Sequence, residues 1–334
     1  MINAAIIGLG WWGRHLVESV QGSSERIRFV RAADLAPDPA REFAGRHWLR
    51  LSADYADALA DPNVAAVVLT TPHACHVEQA IQAAEAGKHV FVEKPLALTG
   101  RDAARVVASC KKAGVVLGVG HERRFEPALI GIERMIAAGE LGTIMHAEAH
   151  FSHDSLAGLD AGNWRLSPEH APAAGMTAMG VHLTDSLIGM LGPVDHLYAE
   201  TARQAMAAPG GDVVSVLLKF ESGATAFVAS ILKTPFFMRL HVFGSEAWIE
   251  ARDRVRPEAE GLVDLTVCRA GGAPETRQVQ AIDAARANLE AFAAAAAGEA
   301  PYPIPAAEMI HNVAILEAIC TSVESGKRAR VGRP

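Results

Sequence analysis

The chain has four cysteines, Cys75, Cys110, Cys268 and Cys320, and no two stand at CxxC spacing. A disulfide framework is therefore not expected, nor are paired-thiolate metal sites, and the thiols predict a reduced, cytoplasmic protein. A basic surplus is missing as well. The net charge is −7, which argues against general nucleic-acid affinity and leaves small neutral or anionic ligands open. No apolar run reaches the roughly 18 residues that suggest a membrane span. The opening MINAAIIGLG lacks the basic segment of a secretory leader, so no membrane partner is expected. Internal repeats and low-complexity linkers are also absent. His73, Cys75 and His76 lie close together, but no further ligand pattern supports them, and no metal is predicted.

What is present is a chain of 334 residues, 50% apolar and 21% charged, too long for one core and typical of a two-domain globular protein. Up to residue 121 short Val/Ile/Leu runs alternate with helical stretches. AAIIG, IRFVRAAD, VAAVVLT, KHVFVEK and VVLGVG read as buried strands. Residues 11–21, ACHVEQAIQAAEAG and GRDAARVVASCKKAG read as crossover helices. The pattern predicts an α/β domain on a doubly wound parallel sheet at 1–121.

Beyond it the pattern changes. A helix at 126–138 and a strand at IMHAEAHFSH precede a long loop containing AGNWRLSPEHAPAAG. After a helix at 175–191 come two hairpins, one turning at Glu221-Ser222-Gly223 and one at Gly244-Ser245. Helices near 282–297 and 305–323 close the chain. Residues 122–334 are expected to form an α+β domain on a mostly antiparallel sheet.

The chemistry-bearing motifs begin at the first strand end. Gly8-x-Gly10-x-x-Gly13 lies between a strand and a helix. There the first glycine allows the tight turn, the second lets backbone approach a pyrophosphate, and the third lets helix and strand pack closely. Trp11 and Trp12 fall inside the same turn and join the expected cofactor set. Asp34 ends the second strand, where a carboxylate accepts from both ribose hydroxyls and repels a 2′-phosphate. Leu35 and Ala36 follow it, not a basic residue, so NAD is expected over NADP. Thr70, Thr71, Pro72 and His76 stand after the third predicted strand, and Glu93-Lys94-Pro95 after the fourth. Both are strand ends of the kind that face ligands in such sheets.

Together with a later Gly180-x-His182 helix, these motifs resemble the glucose–fructose oxidoreductase / inositol dehydrogenase / rhizopine catabolism (Gfo/Idh/MocA) family, from the first strand to at least residue 192. The resemblance implies an N-terminal Rossmann domain and a C-terminal substrate domain with an open-faced sheet. That sheet's free face often joins subunits into homodimers or homotetramers. It implies Lys94 as the active-site lysine and His182 as the acid/base. Thr71 and Pro72 would lie along the nicotinamide, with Glu93 as the acid of the lysine's tripeptide. Trp164-Arg165 would be a substrate-side pair. The family's helix usually reads Asp-x-Gly-x-His-x-x-Asp. Here Asp185 matches the second acid, but Ala178 stands at the first, one turn before His182.

A carboxylate at 178 would orient the imidazole and stabilise its charged form. Its loss leaves two accounts: Asp154 replaces it, the favoured one, or His182 works alone. Period-two alternation puts Phe151 and His153 on one strand face, so His153 is a second candidate. Arg124-Phe125 also matches the family. Glu122 stands where a neutral residue is common and joins the expected cofactor set, while Arg123 reads equally as a substrate clamp or a domain-interface charge. Arg165 sits on a long irregular loop, a frequent place for function. The expected activity is reversible hydride transfer between NAD and a secondary alcohol carbon of a small polyol, sugar-like or cyclic diol substrate. The rival is an NAD-binding sensor or assembly protein with little turnover.

Overall fold

The apolar runs before residue 121 become strands covered on both faces, as continuous Val/Ile/Leu segments require. The structure, a computed structural model, describes residues 1–160, 162–256 and 261–333. Two units partition the chain. The first comprises Met1–His121 and Ala285–Ile310, and the second runs from Glu122 to Ala284 and resumes at His311.

The first unit opens with β1 (Ile2–Ile7), α1 (Trp11–Val20), β2 (Ile27–Ala33), α2 (Arg41–Arg46), β3 (Arg50–Ser52) and α3 (Ala56–Ala60). β4 (Ala66–Leu69), α4 (His76–Glu85), β5 (His89–Val92), α5 (Gly100–Ala113) and β6 (Leu117–Val119) follow. All sheet pairs are parallel, in the order β3-β2-β1-β4-β5-β6. This is the doubly wound dinucleotide-binding order, and its direction reverses between β1 and β4, where ligands bind. β3 is a short strand that its sequence did not announce. Local signals set the helix ends where they are clear. The Thr99 hydroxyl accepts from the Asp102 N–H at 3.1 Å to start α5, and Gly114 ends it with φ +68°.

The second unit contains α6 (Pro127–Ala137), β7 (Ile144–Ser152), α7 (Val181–Leu191), β8 (Val194–Ala202), β9 (Val213–Phe220) and β10 (Thr225–Ile231). It continues through β11 (Phe237–Gly244), β12 (Ala247–Asp253), β13 (Leu262–Arg269) and β14 (Glu275–Gln280). These strands and a later β15 (Ala329–Arg330) form one sheet, β14-β13-β12-β11-β7-β10-β9-β8-β15. Only β7 and β10 pair in parallel; the other neighbours are antiparallel. The alternation along each strand separates two faces. Ala147, Ala149, Val228, Leu240, Val242 and Ile249 are buried on one, the side of α6 and α7. The other carries His146, Glu148, Arg239, His241 and Phe243, with Leu217 55% exposed.

The helices α8 (Ala284–Ala296) and α9 (Ala306–Ser325) depart from the expected division. Residues 285–310 belong to the first unit, although the sequence reading assigned all of 122–334 to the second domain. The cause is packing. Leu289, Phe292 and Ala293 join the core of β1, β2 and α1, and Phe292 meets Phe91 edge-on at 5.5 Å. Asn288 Nδ2 donates to the Val119 carbonyl at 2.9 Å, and the Tyr302 hydroxyl donates to the same oxygen at 3.0 Å, so β6 is a covered edge. Among the described residues, α9 alone is long and apolar enough to cross a membrane, a run that the sequence reading passed over. More than half of that stretch is buried, with Val313, Ile315, Leu316 and Ile319 in the core.

Candidate active site

The glycine turn after β1 is built from sterics. Gly8 has φ +95°, a region that side chains rarely enter. A Cβ on Gly13 would collide with the Gly8 carbonyl oxygen and lie 2.8 Å from the Thr70 hydroxyl. Thr70 donates that hydroxyl toward the carbonyls of Gly8 and Ile7, at 2.6 and 2.9 Å, and so ties the end of β4 to the turn. Gly10 is the N-cap of α1. No side chain caps the helix, and a Cβ on Gly10 would meet nothing within 4 Å. Free N–H groups, the positive end of the helix dipole and open space together fit a pyrophosphate. Asp34 stands beside them, its Oδ2 accepting from the Leu9 N–H at 2.7 Å. Trp11 is exposed and stacks on His15, whereas Trp12 is partly buried.

The other two strand ends are joined by one imidazole. His76 is buried, its Nδ1 and Nε2 each 2.9 Å from a carbonyl oxygen, Pro95 and Thr71 respectively. A neutral ring has one N–H and donates to only one of them. Burial pulls the His76 pKa down, and the two carbonyls pull against it. Thr71 donates to the Gln79 side chain at 2.5 Å, and Pro72 opens the turn leading into α4. Lys94 follows β5, and its peptide bond to Pro95 is cis. Glu93 is buried, and burial raises its carboxyl to about 7, against the pull of the Trp12 indole and the Lys94 charge.

In the second unit α7 is buried almost all round, as a helix inside a core must be. It follows a one-turn π-helical segment, Met176–Gly180, a distortion often found at functional sites. His182 is 3% exposed, and its Nε2 lies 3.6 Å from Glu122 Oε1. Phe151 lies beside both His182 and His153, at ring separations of 6.3 and 5.4 Å.

Several expected substrate residues are engaged elsewhere. Asp185 is fully buried and accepts from Arg124 Nε and Nη2 at 2.8 and 3.2 Å, a lock between α7 and the 3-10 turn Glu122–Phe125. Arg123 is 3% exposed and is held by Glu126 and by both oxygens of Asp253, so its guanidinium serves an internal network and is not open as a clamp. Asp154, the expected partner of His182, is exposed and pairs with Arg256 at 2.7 Å. Glu122, expected among the cofactor residues, holds the place beside the imidazole. His153 Nδ1 accepts from the Ser155 N–H at 3.2 Å. Trp164 and Arg165 stay together, the guanidinium 4.3 Å from the indole centroid. Sequence reading missed Glu126, Asp253 and the pairing of Glu122 with His182. One signal for the last was available: two departures from the family pattern, Ala178 and Glu122, in a single chain. Among the described residues no group of three or more metal-ligating side chains is assembled.

Residues 2–121 match the profile of the oxidoreductase family with an NAD-binding Rossmann fold, and residues 131–250 match the Gfo/Idh/MocA C-terminal domain. A D-xylose 1-dehydrogenase (NADP(+)) of Haloferax volcanii is 29% identical, over 93% of this chain and 94% of that protein. A scyllo-inositol 2-dehydrogenase (NAD(+)) of Bacillus subtilis is 30% identical, over 74% and 73%. The fold is shared with an aldose-aldose oxidoreductase of Caulobacter crescentus, at a TM-score of 0.88 and 23% identity over 98% of this chain and 99% of the other. The strand order, the glycine turn and similarity through both units lead to one assignment: the chain is an oxidoreductase of the Gfo/Idh/MocA family.

Proposed function

We propose that the protein is an NAD-dependent dehydrogenase that interconverts an alcohol and a ketone at a secondary carbon of a small polyol, sugar-like or cyclic diol. The observation that carries the cofactor half is the Asp34 carboxylate, hydrogen-bonded to the backbone of the glycine turn beside an uncapped helix end. A carboxylate there favours ribose hydroxyls over a 2′-phosphate. The relatives named above include one described with each cofactor, so the preference rests on Asp34. Their substrates, a pentose and an inositol, support the polyol class.

The chemistry supplied by NAD when bound is hydride exchange with the substrate carbon. Glu93, Thr71 and Pro72 shape the nicotinamide end. Lys94 hydrogen-bonds the reacting oxygen and stabilises negative charge as it develops. His182 takes or returns the proton. Trp164, Arg165 and His153 supply substrate contacts. The first unit serves as the cofactor domain. In the second, the free face of the sheet, with Leu217 and Phe243, joins copies into a dimer or tetramer. Four free cysteines support a cytoplasmic setting. The sensor reading draws on Ala178; a carboxylate beside His182 weighs against it.

The test is NADH formation against a panel of sugars, inositols and dihydrodiols. Turnover of one class supports the reading. Tight NAD binding with no turnover of any compound overturns it in favour of the sensor.

A further inference from the structure

We infer that Glu122 is the positioning residue for His182, its carboxylate set beside Nε2 of the ring. This rests on the proposed acid/base role of His182. The need for a partner follows from burial. An imidazolium on a helix sealed from water is costly unless a negative charge lies close by. Position 178 supplies none, because the alanine side chain carries no charge.

Glu122 comes from a different element, the turn that follows β6, and approaches from the Nε2 side at ion-pair distance. Its residue is 9% exposed, so the pair interacts through a medium far less screening than water. Four other carboxylates of this unit are committed to arginines. Asp185, on α7 itself, is held by Arg124. Asp253, from β12, and Glu126, from the start of α6, are held by Arg123. Asp154, beyond β7, is held by Arg256 at the surface. Glu122 and Arg123 also attract one another. Phe151 fills the β7 side of the ring and brings no charge. Glu122 is thus the acid that geometry gives to the histidine. Its place beside Nε2 favours the charged form of the ring.

Nitrogen-15 NMR of histidine-labelled protein tests this, with His182→Asn used to assign the signal. In Glu122→Gln the titration midpoint of His182 is expected to fall, because the charged ring loses its partner. The value of kcat is expected to fall by about tenfold to a hundredfold, with little change in KM. Glu122→Asp keeps the charge and is expected to restore part of both. An unchanged midpoint in a folded Glu122→Gln overturns the assignment. If that variant does not fold, Glu122→Asp decides, and a His182 midpoint that does not move when the shorter acid draws the charge back overturns it. The expected midpoint shift with no alcohol turnover in the wild type removes the dehydrogenase reading and leaves the pairing intact.

Discussion

Asp34 and Lys94 are the residues whose chemistry is easiest to isolate, because each is assigned a single contact with a ligand. Asp34 already accepts from Leu9 N–H and Ala36 N–H, which fixes the carboxylate before any ligand arrives. A 2′-phosphate would be repelled by it. The protein is therefore expected to bind NADH at least about tenfold more tightly than NADPH, roughly 1.4 kcal/mol. Fluorescence titration with both cofactors measures the gap, and Asp34→Ala should narrow it. Lys94→Ala should lower kcat on the true substrate by about 10²–10³ while leaving NADH affinity nearly unchanged, as expected for loss of one preorganised donor. A variant with more than half the wild-type rate would remove Lys94 from the chemistry. Both residues were legible in the sequence, because a strand end, a glycine spacing and a neighbouring proline are local signals. The partner of His182 was not. It lies 60 residues away in the chain, and only the packing of α7 against the 122–125 turn brings the two together.

At the scale of elements, the bond between that turn and α7 is the Arg124–Asp185 pair. Asp185 is fully buried, Arg124 is partly buried, and the contact is bidentate. Asp185→Ala removes the fully buried half of the pair, a loss of about 3 kcal/mol, the lower end for a buried pair because the guanidinium is only partly buried. Urea unfolding monitored by circular dichroism would show it as a lower midpoint. A change confined to KM would instead return Asp185 to the substrate. The family pattern pointed to this position but carried no information on which way the side chain faces. Other local features were equally silent. Ala173 and Ala174 both adopt positive φ, +56° and +51°, just before the π-helical turn. Nothing in an alanine advertises the left-handed region, whose cost is about 1–2 kcal/mol per residue. The strands and hairpins of the second unit, by contrast, were readable from their alternation and their turns.

Over the whole molecule, buried titratable groups set opposing responses to pH. Burial lowers the pKa of His76, His89, His150, His241 and His311 below the ordinary 6.5. Their contribution is full above that value and is lost as the pH falls, since the unfolded chain takes protons that the folded one resists. The carboxyls of Glu93 and Glu126 respond in the other sense. Burial raises them from 4.5 to about 7 and about 8. Each contributes fully below 4.5, and the contribution is lost as the pH rises through the folded value. Glu126→Gln removes one rising cost. Its stability should therefore hold between pH 5 and 8, where the wild type declines relative to it, as read from unfolding midpoints across that range. An identical slope in the two proteins would mean that Glu126 is ionised throughout. The fold class was legible at this scale, but the return of α8 to the first sheet was not. Its amphipathic pattern requires an apolar surface and does not say which one.

That return has a practical meaning for anyone cutting the gene. A fragment stopping after His121 would encode all six parallel strands and every glycine of the turn, yet it would not be a domain. Phe91 would lose Phe292, and the last strand would present the Val119 carbonyl to any passing chain. A usable minimal cofactor module has to be spliced, with residues 285–310 rejoined to the first stretch through a designed linker.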